Sequence, residues 1–132
     1  MNYAAGISQA DQRAIARAVK AAAESEHHRY RVGAAVVCSG RVVAAPNRFR
    51  NMPDVAPYTE QSVHAEVRAI LRAPHNGRGG TLYVARLGKR DRLLASHPCA
   101  RCMPLILEVG IKRIVWWDGS SWVSEKVTIV SP

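Results

Sequence analysis

The chain has 132 residues, of which 48% are hydrophobic and 22% charged, and it carries a formal net charge of +9. That length suits one domain, residues 1–132, able to bury about 65–70% of the surface its unfolded form exposes, so it needs no metal or disulfide merely to possess a core. The ordinary composition excludes a low-complexity or disordered chain, and no apolar run reaches spanning length, so no membrane partner is expected.

The amino-terminal Met1-Asn2-Tyr3-Ala4-Ala5-Gly6 lacks a basic leader followed by an apolar block, which predicts a cytoplasmic protein with reduced thiols. Ser8 and Asp11 have the spacing of a capping pair, and Ile15, Val19, Ala22 and Ala23 recur on one helical face up to the polar Glu26-His27-His28. The segments from Arg31 to Ser39 and from Arg41 to Asn47 are Val-rich and separated by Ser39-Gly40, which predicts an antiparallel hairpin. Cys38, inside the apolar Val36-Val37-Cys38, reads as an inert core thiol.

From Asn47 to Thr59 the sequence holds Pro53 and Pro57 without periodicity, the mark of a long and often functional loop. Val63, Val67, Ile70 and Leu71 then repeat at helical spacing until Pro74, with Thr59 or Ser62 as cap, so His64 and Glu66 fall in the first turn of a second helix. The third strand, Thr81 to Arg86, follows Gly79-Gly80, and the basic Lys89-Arg90-Asp91-Arg92 reads as a solvated loop. Pro98 suits the first position of a third helix that runs through Leu105, Ile106 and Val109 to Gly110. Lys112 to Trp117 and Trp122 to Val130, folded about Asp118-Gly119, supply the last two strands. The order α-β-β-α-β-α-β-β predicts a mixed sheet with helices packed against it.

Chemistry concentrates in two short segments, His64-Ala65-Glu66 and Pro98-Cys99-Ala100-Arg101-Cys102. One imidazole and two thiolates suit zinc, and three protein ligands leave a fourth position for water, the arrangement of a catalytic rather than a structural site. Cys99 and Cys102, three residues apart at a helix start, can turn both sulfurs to one side, where unpaired N–H groups and the positive dipole end favour thiolates. Glu66 stands two residues from His64, about 200° around the helix, and so is placed as a proton carrier beside the metal rather than a ligand. Alone, a His-x-Glu is common and a Cys-x-x-Cys could be redox-active or half a zinc knuckle; together they point to metal-assisted hydrolysis. His27, His28 and His75 lie in polar segments and read as solvated.

These two motifs resemble those of the cytidine deaminase superfamily, and the resemblance extends through the element order over almost the whole chain. It implies a three-layer α/β sandwich with a five-stranded mixed sheet and helices on both faces. It further implies one Zn²⁺ held by His64, Cys99 and Cys102, with Glu66 shuttling protons while hydroxide attacks an amino-bearing ring carbon and ammonia leaves. By the same resemblance Asn47 contacts sugar and base, the Ala65 N–H binds the base carbonyl, and a main-chain carbonyl around His97 orients the amine. Phe49, Tyr58 and His97 are the candidate ring-packing residues. The resemblance also implies a homo-oligomer, a dimer or tetramer.

Branches of the superfamily pull in different directions. Free-nucleoside deaminases place Cys where this chain has His64, whereas the deoxycytidylate, tRNA-adenosine and polynucleotide-editing branches use His. The terminal hairpin from Ile114 to Val130 nevertheless resembles the nucleoside type, and polynucleotide editors extend with further helices where this sequence stops at Ser131-Pro132. The expected substrate is therefore a free cytosine nucleoside or nucleotide, with Arg48 and Arg50 offering guanidinium groups to a 5′-phosphate. One rival is deamination of a base in single-stranded DNA or RNA, with the +9 charge tracking the backbone and Trp116, Trp117 or Trp122 stacking, although these tryptophans at strand ends read first as core or subunit-contact residues. Another is a zinc-stabilised nucleic-acid-binding module without turnover, against which stand Glu66 and the open zinc position.

Overall fold

The computed structural model describes residues 2–26, 31–49 and 62–127, with positions 49, 62 and 63 described by backbone alone. The segments around His27, His28, Arg50, Tyr58 and Thr59, and the end of the last predicted strand beyond 127, lie outside the described residues.

Helix α1 (Gln9–Ala23) opens with the expected reciprocal cap: the Ser8 hydroxyl accepts the Asp11 N–H at 3.0 Å and the Asp11 carboxylate accepts the Ser8 N–H at 2.9 Å. It ends at Ala23, three residues short of the predicted polar stop. Strands β1 (Arg31–Cys38) and β2 (Arg41–Pro46) form the predicted hairpin, pairing Gly33 with Pro46 through to Cys38 with Arg41. The segment after Asn47 is not wholly irregular, because β3 (Arg48–Phe49) pairs with β4 (Ser62–Val63) in a separate ribbon that delivers the chain to His64. Helix α2 (Ala65–Arg72) follows, with His64 rather than Thr59 or Ser62 in the cap position, and it ends at Ala73 before Pro74.

The chain continues through β5 (Thr81–Leu87), the short β6 (Leu93–Leu94), α3 (Met103–Val109), β7 (Arg113–Trp117) and β8 (Trp122–Lys126). The third helix therefore begins five residues later than predicted from Pro98. Proline marks its first turn as expected, but the proline is Pro104. Before it, the N–H groups of Cys102 and Met103 both bond the Cys99 carbonyl, at 3.0 and 3.3 Å, closing a single turn that is not continued backward. Gly110 ends α3 in the left-handed region at φ 87°, as the sequence suggested.

The main sheet runs β2-β1-β5-β7-β8, with β6 pairing β5 as a short sixth strand; β5 and β7 are parallel, joined through α3, and the other neighbours are antiparallel. Alternation along the strands builds two cores. Ala34, Val36, Leu82, Val84 and Ile114 pack with Ala69 and Ile70 of α2 and Ile106 of α3. Ala35, Tyr83, Ala85 and Val115 pack with Ala14, Ile15, Ala18 and Ala22 of α1. The result is the expected three layers, with α1 on one face and α2 and α3 on the other. Gly33 permits the close α1 contact: a Cβ there would stand 2.1 Å from the Ala18 carbonyl oxygen. Among the described residues no helix is long and apolar enough to cross a membrane.

The register fixes where function can sit. The ends of β2, β5 and β7 and the start of β1 share one end of the sheet, which is where the chain leaves β5 toward Cys99 and leaves β2 toward Asn47. Crevices outside the carboxyl ends of parallel strands are the usual binding positions in α/β sheets.

Candidate metal centre

Three side chains from two sequence segments meet at that end. His64 Nδ1 lies 3.2 Å from Cys102 Sγ and 3.4 Å from Cys99 Sγ, and the two sulfurs are 3.7 Å apart. Tetrahedral zinc with ordinary bond lengths would separate two thiolates by about 3.8 Å and a thiolate from an imidazole nitrogen by about 3.6 Å. The three residues fit a single zinc site. The structure adds which imidazole nitrogen faces the thiols, Nδ1, a detail the spacing does not contain.

Local folding explains the convergence. His64 occupies the cap of α2 with no side-chain capping bond, so its imidazole is not spent on the helix. The Cys99–Cys102 turn brings the two sulfurs together, and Cys102, buried, sits directly at the start of α3. Upstream, Ser96 locks this segment to the sheet: its hydroxyl donates to the Val84 carbonyl at 2.7 Å and accepts the Trp117 N–H at 2.9 Å, tying it to the middle of β5 and the end of β7. Nothing in the sequence pattern singled out Ser96, a small polar residue two positions before a proline.

Burial raises the Cys102 thiol well above the ordinary range, and the neighbouring Glu66 and Cys99 push it the same way. A bound divalent cation reverses that balance, since a coordinating thiol is deprotonated. Glu66, the second residue of α2, is 4% exposed, and its charge is among the causes that raise the Cys102 thiol. Among the described residues no cation is ion-paired with this buried carboxylate.

The other predicted site residues are distributed unevenly. Asn47 is buried at the end of β2, where its side-chain oxygen accepts the Val32 N–H at 3.0 Å and the Ser25 hydroxyl at 2.6 Å. The Val32 donor identifies that atom as the oxygen and so orients the amide; Ser25 was not marked by any motif. Ala65 is fully buried at the first position of α2, where its N–H lies outside the helical ladder. Arg48 is exposed on β3. The His97 ring turns toward the last hairpin, stacking edge-on against Trp116 at 4.8 Å with Nε2 3.1 Å from the Glu125 carboxylate. Phe49 is placed only by its backbone pairing with Ser62, and Tyr58 lies outside the described residues.

Residues 8–117 match the family model of the cytidine and deoxycytidylate deaminase zinc-binding region. The chain belongs to this family. Among solved structures it is similar to the cytidine deaminase of Mycobacterium tuberculosis, at 27% identity and a TM-score of 0.51 over 82% of this chain and 84% of that one. A glutamate-to-aspartate mutant of the same enzyme aligns at 27% identity and a TM-score of 0.54, covering 82% of each chain. No curated relative matches the chain. Family and fold together make it a zinc-dependent hydrolase of the deaminase class, and they agree with the three-layer architecture and the His64, Cys99 and Cys102 cluster.

The tryptophans divide as well. Trp122 is completely buried and Trp117 packs edge-on against it at 5.6 Å, so these two belong to the core and not to an exposed stacking track. Cys38 is the expected buried thiol, its Sγ 3.4 Å from the Arg78 carbonyl.

Proposed function

We propose that this protein hydrolytically deaminates a free cytosine nucleoside or nucleotide to the uracil product and ammonia. The observation that carries the reading is the meeting of His64, Cys99 and Cys102 at zinc-fitting distances with a buried carboxylate, Glu66, beside them. Zinc held by those three side chains supplies Lewis acidity that makes water nucleophilic near neutral pH.

The chain's own residues do the rest. Glu66 takes the proton released as water adds to the amino-bearing ring carbon and passes it to the adjacent ring nitrogen. A second proton passes through the same carboxylate to the exocyclic amine, the carbon–nitrogen bond breaks, and ammonia departs. The Ala65 N–H, at the positive end of α2, binds the base carbonyl. Asn47, its side-chain oxygen accepting from Val32 and Ser25, contacts the sugar and base. The His97 main-chain carbonyl receives the amine, and Phe49 and Tyr58 pack the ring.

Ammonia release by the zinc-loaded protein from cytidine, deoxycytidine and deoxycytidylate, with Glu66→Gln as control, tests this. Turnover of a free monomer that disappears in the control is the expected result. Activity confined to single-stranded DNA or RNA, or undiminished in Glu66→Gln, overturns it.

A further inference from the structure

Two clefts meet at Arg72 along the boundary of α2 and β2. One, of about 230 Å³, is lined by Arg48 and Arg68 with Glu24 and Glu26; the other, of about 440 Å³, is lined by Arg41, Val42, Val43, Ala73 and Pro74. Neither is lined by the metal triad or by Glu66, and of the proposed substrate contacts only the buried Asn47 reaches a wall, that of the smaller cleft. The chemistry of the metal centre does not account for this surface.

Strand β2 is an edge of the main sheet. Arg68 donates to the Pro46 carbonyl and Arg72 to the Ala44 carbonyl at 3.4 Å. Outward main-chain groups fall on alternate residues of an antiparallel edge strand, so Val42, Ala44 and Pro46 carry them. The two arginines answer the carbonyls of Ala44 and Pro46, and Pro46 has no N–H. The Val42 carbonyl and the N–H groups of Val42 and Ala44 are left without a main-chain partner among the described residues.

Each fastened guanidinium is thereby held in one orientation with most of its donors unspent. Among the described residues none of Arg41, Arg48, Arg68 and Arg72 has an ion pair, although Arg31 and Arg113 do elsewhere. Burial first, then the charges of Arg72 and Arg48, lower the Arg68 pKa, so these groups stand close enough to repel one another and an anionic partner relieves that repulsion. Apolar surface adjoins them. Val42 and Leu71 are two of the three large apolar side chains exposed among the described residues, and Leu71 lies three residues from Arg68 on the same side of α2.

We propose that the α2–β2 boundary is a docking surface for an extended acidic segment of another protein, with its main chain along Val42 and Ala44, its carboxylates at Arg41, Arg68 and Arg72, and its apolar side chains on Val42 and Leu71. Bidentate carboxylate recognition and strand addition at a sheet edge supply the affinity. A nucleic-acid strand fits less well, because Glu24 and Glu26 repel phosphates at one end and no aromatic side chain among the described residues lines either cleft for stacking. A second copy of this chain also fits less well, because two-fold pairing of β2 edges sets the same arginines against one another.

Fluorescence anisotropy of the zinc-loaded protein with a labelled peptide of alternating Glu and Val, compared with one of alternating Lys and Val and with oligothymidylate, tests the surface. The Glu-Val peptide should bind at least about tenfold more tightly than either comparison. Arg72→Gln should weaken it about tenfold. Arg41→Gln, at an exposed residue that takes no part in fastening α2, should weaken it about threefold, and Leu71→Ser should do the same by removing exposed apolar contact, which a purely electrostatic attraction would not show. Far-UV circular dichroism checks that each variant is folded. No binding of the Glu-Val peptide, binding unchanged in Arg41→Gln and Leu71→Ser, or tighter binding of oligothymidylate overturns the surface. Self-association in sedimentation that Arg41→Gln abolishes overturns it in favour of a second copy.

Discussion

Asp11 on α1 and Glu66 on α2 are two carboxylates buried to nearly the same degree, 5% and 4% exposed, on opposite faces of one sheet, and their surroundings could hardly differ more. Asp11 accepts the Ser8 N–H, the Tyr83 hydroxyl at 2.5 Å and both terminal nitrogens of Arg113, at 2.9 and 2.7 Å. Burial alone would raise its pKa, but the Arg113 and Tyr83 hydrogen bonds overcome that and hold it far below the usual carboxylate range. Glu66 has no ion pair with a cation among the described residues, and its charge instead helps to raise the Cys102 thiol. A buried carboxylate with every lone pair answered is committed to the fold, whereas one left without a cation beside a zinc-fitting cluster is the one proposed for chemistry.

The largest effect expected from this contrast is at Glu66. Glu66→Gln keeps the shape and removes the proton carrier, and should cut kcat about 1,000-fold while zinc content by elemental analysis stays at one per chain. Retained turnover would break the assignment of the two carboxylates. Cys102→Ala should instead abolish stoichiometric zinc, with far-UV circular dichroism still showing a folded protein, because a core of two apolar clusters does not depend on the metal.

Asp11 should behave in the opposite way. Asp11→Asn, which leaves Arg113 facing an amide, is expected to cost about 3 kcal/mol in urea unfolding while the activity of the remaining folded protein is unchanged. Because the folded pKa is depressed, the stability Asp11 contributes is present above about pH 4 and is lost as pH falls through the folded value. The difference between wild type and Asp11→Asn should therefore narrow steadily as pH drops from 5 toward 2. A constant difference over that range would mean that the carboxylate charge is not what Arg113 stabilises.

The two carboxylates were unequally visible in the sequence. Glu66 was marked by its place in His-Ala-Glu and by the distant Cys pair, since metal chemistry demands particular residue types at particular spacings. Asp11 was visible only as a helix cap, because caps are local, whereas its partners Tyr83 and Arg113 are 72 and 102 residues away. The same distinction explains other gains and misses. The β1–β2 hairpin and the Gly110 stop are written in neighbouring residues, but the start of α3 depended on which of two prolines, Pro98 or Pro104, opened the helix. Ser25 and Ser96 act through contacts with Asn47 and with Val84 of β5 and Trp117 of β7, and no periodicity reports such pairings.

Tyr83 gives the finest test of the contrast. Its ring is buried against α1 and its hydroxyl donates to Asp11 Oδ1, which also receives an Arg113 N–H, so Tyr83→Phe removes one donor without orphaning the acceptor. The expected cost is about 1 kcal/mol, well below that of Asp11→Asn. Burial, then the hydrogen bond and charge of Asp11, raise the Tyr83 pKa in the folded state. The unfolded chain therefore releases the phenolic proton first, and wild-type stability should decline from about pH 10 upward. Tyr83→Phe should lose that contribution to the alkaline decline while keeping the acid dependence that belongs to Asp11. If the variant instead lost its acid dependence too, the tyrosine rather than Arg113 would be the partner that holds the Asp11 charge, and the fully answered carboxylate would owe its state to a hydroxyl.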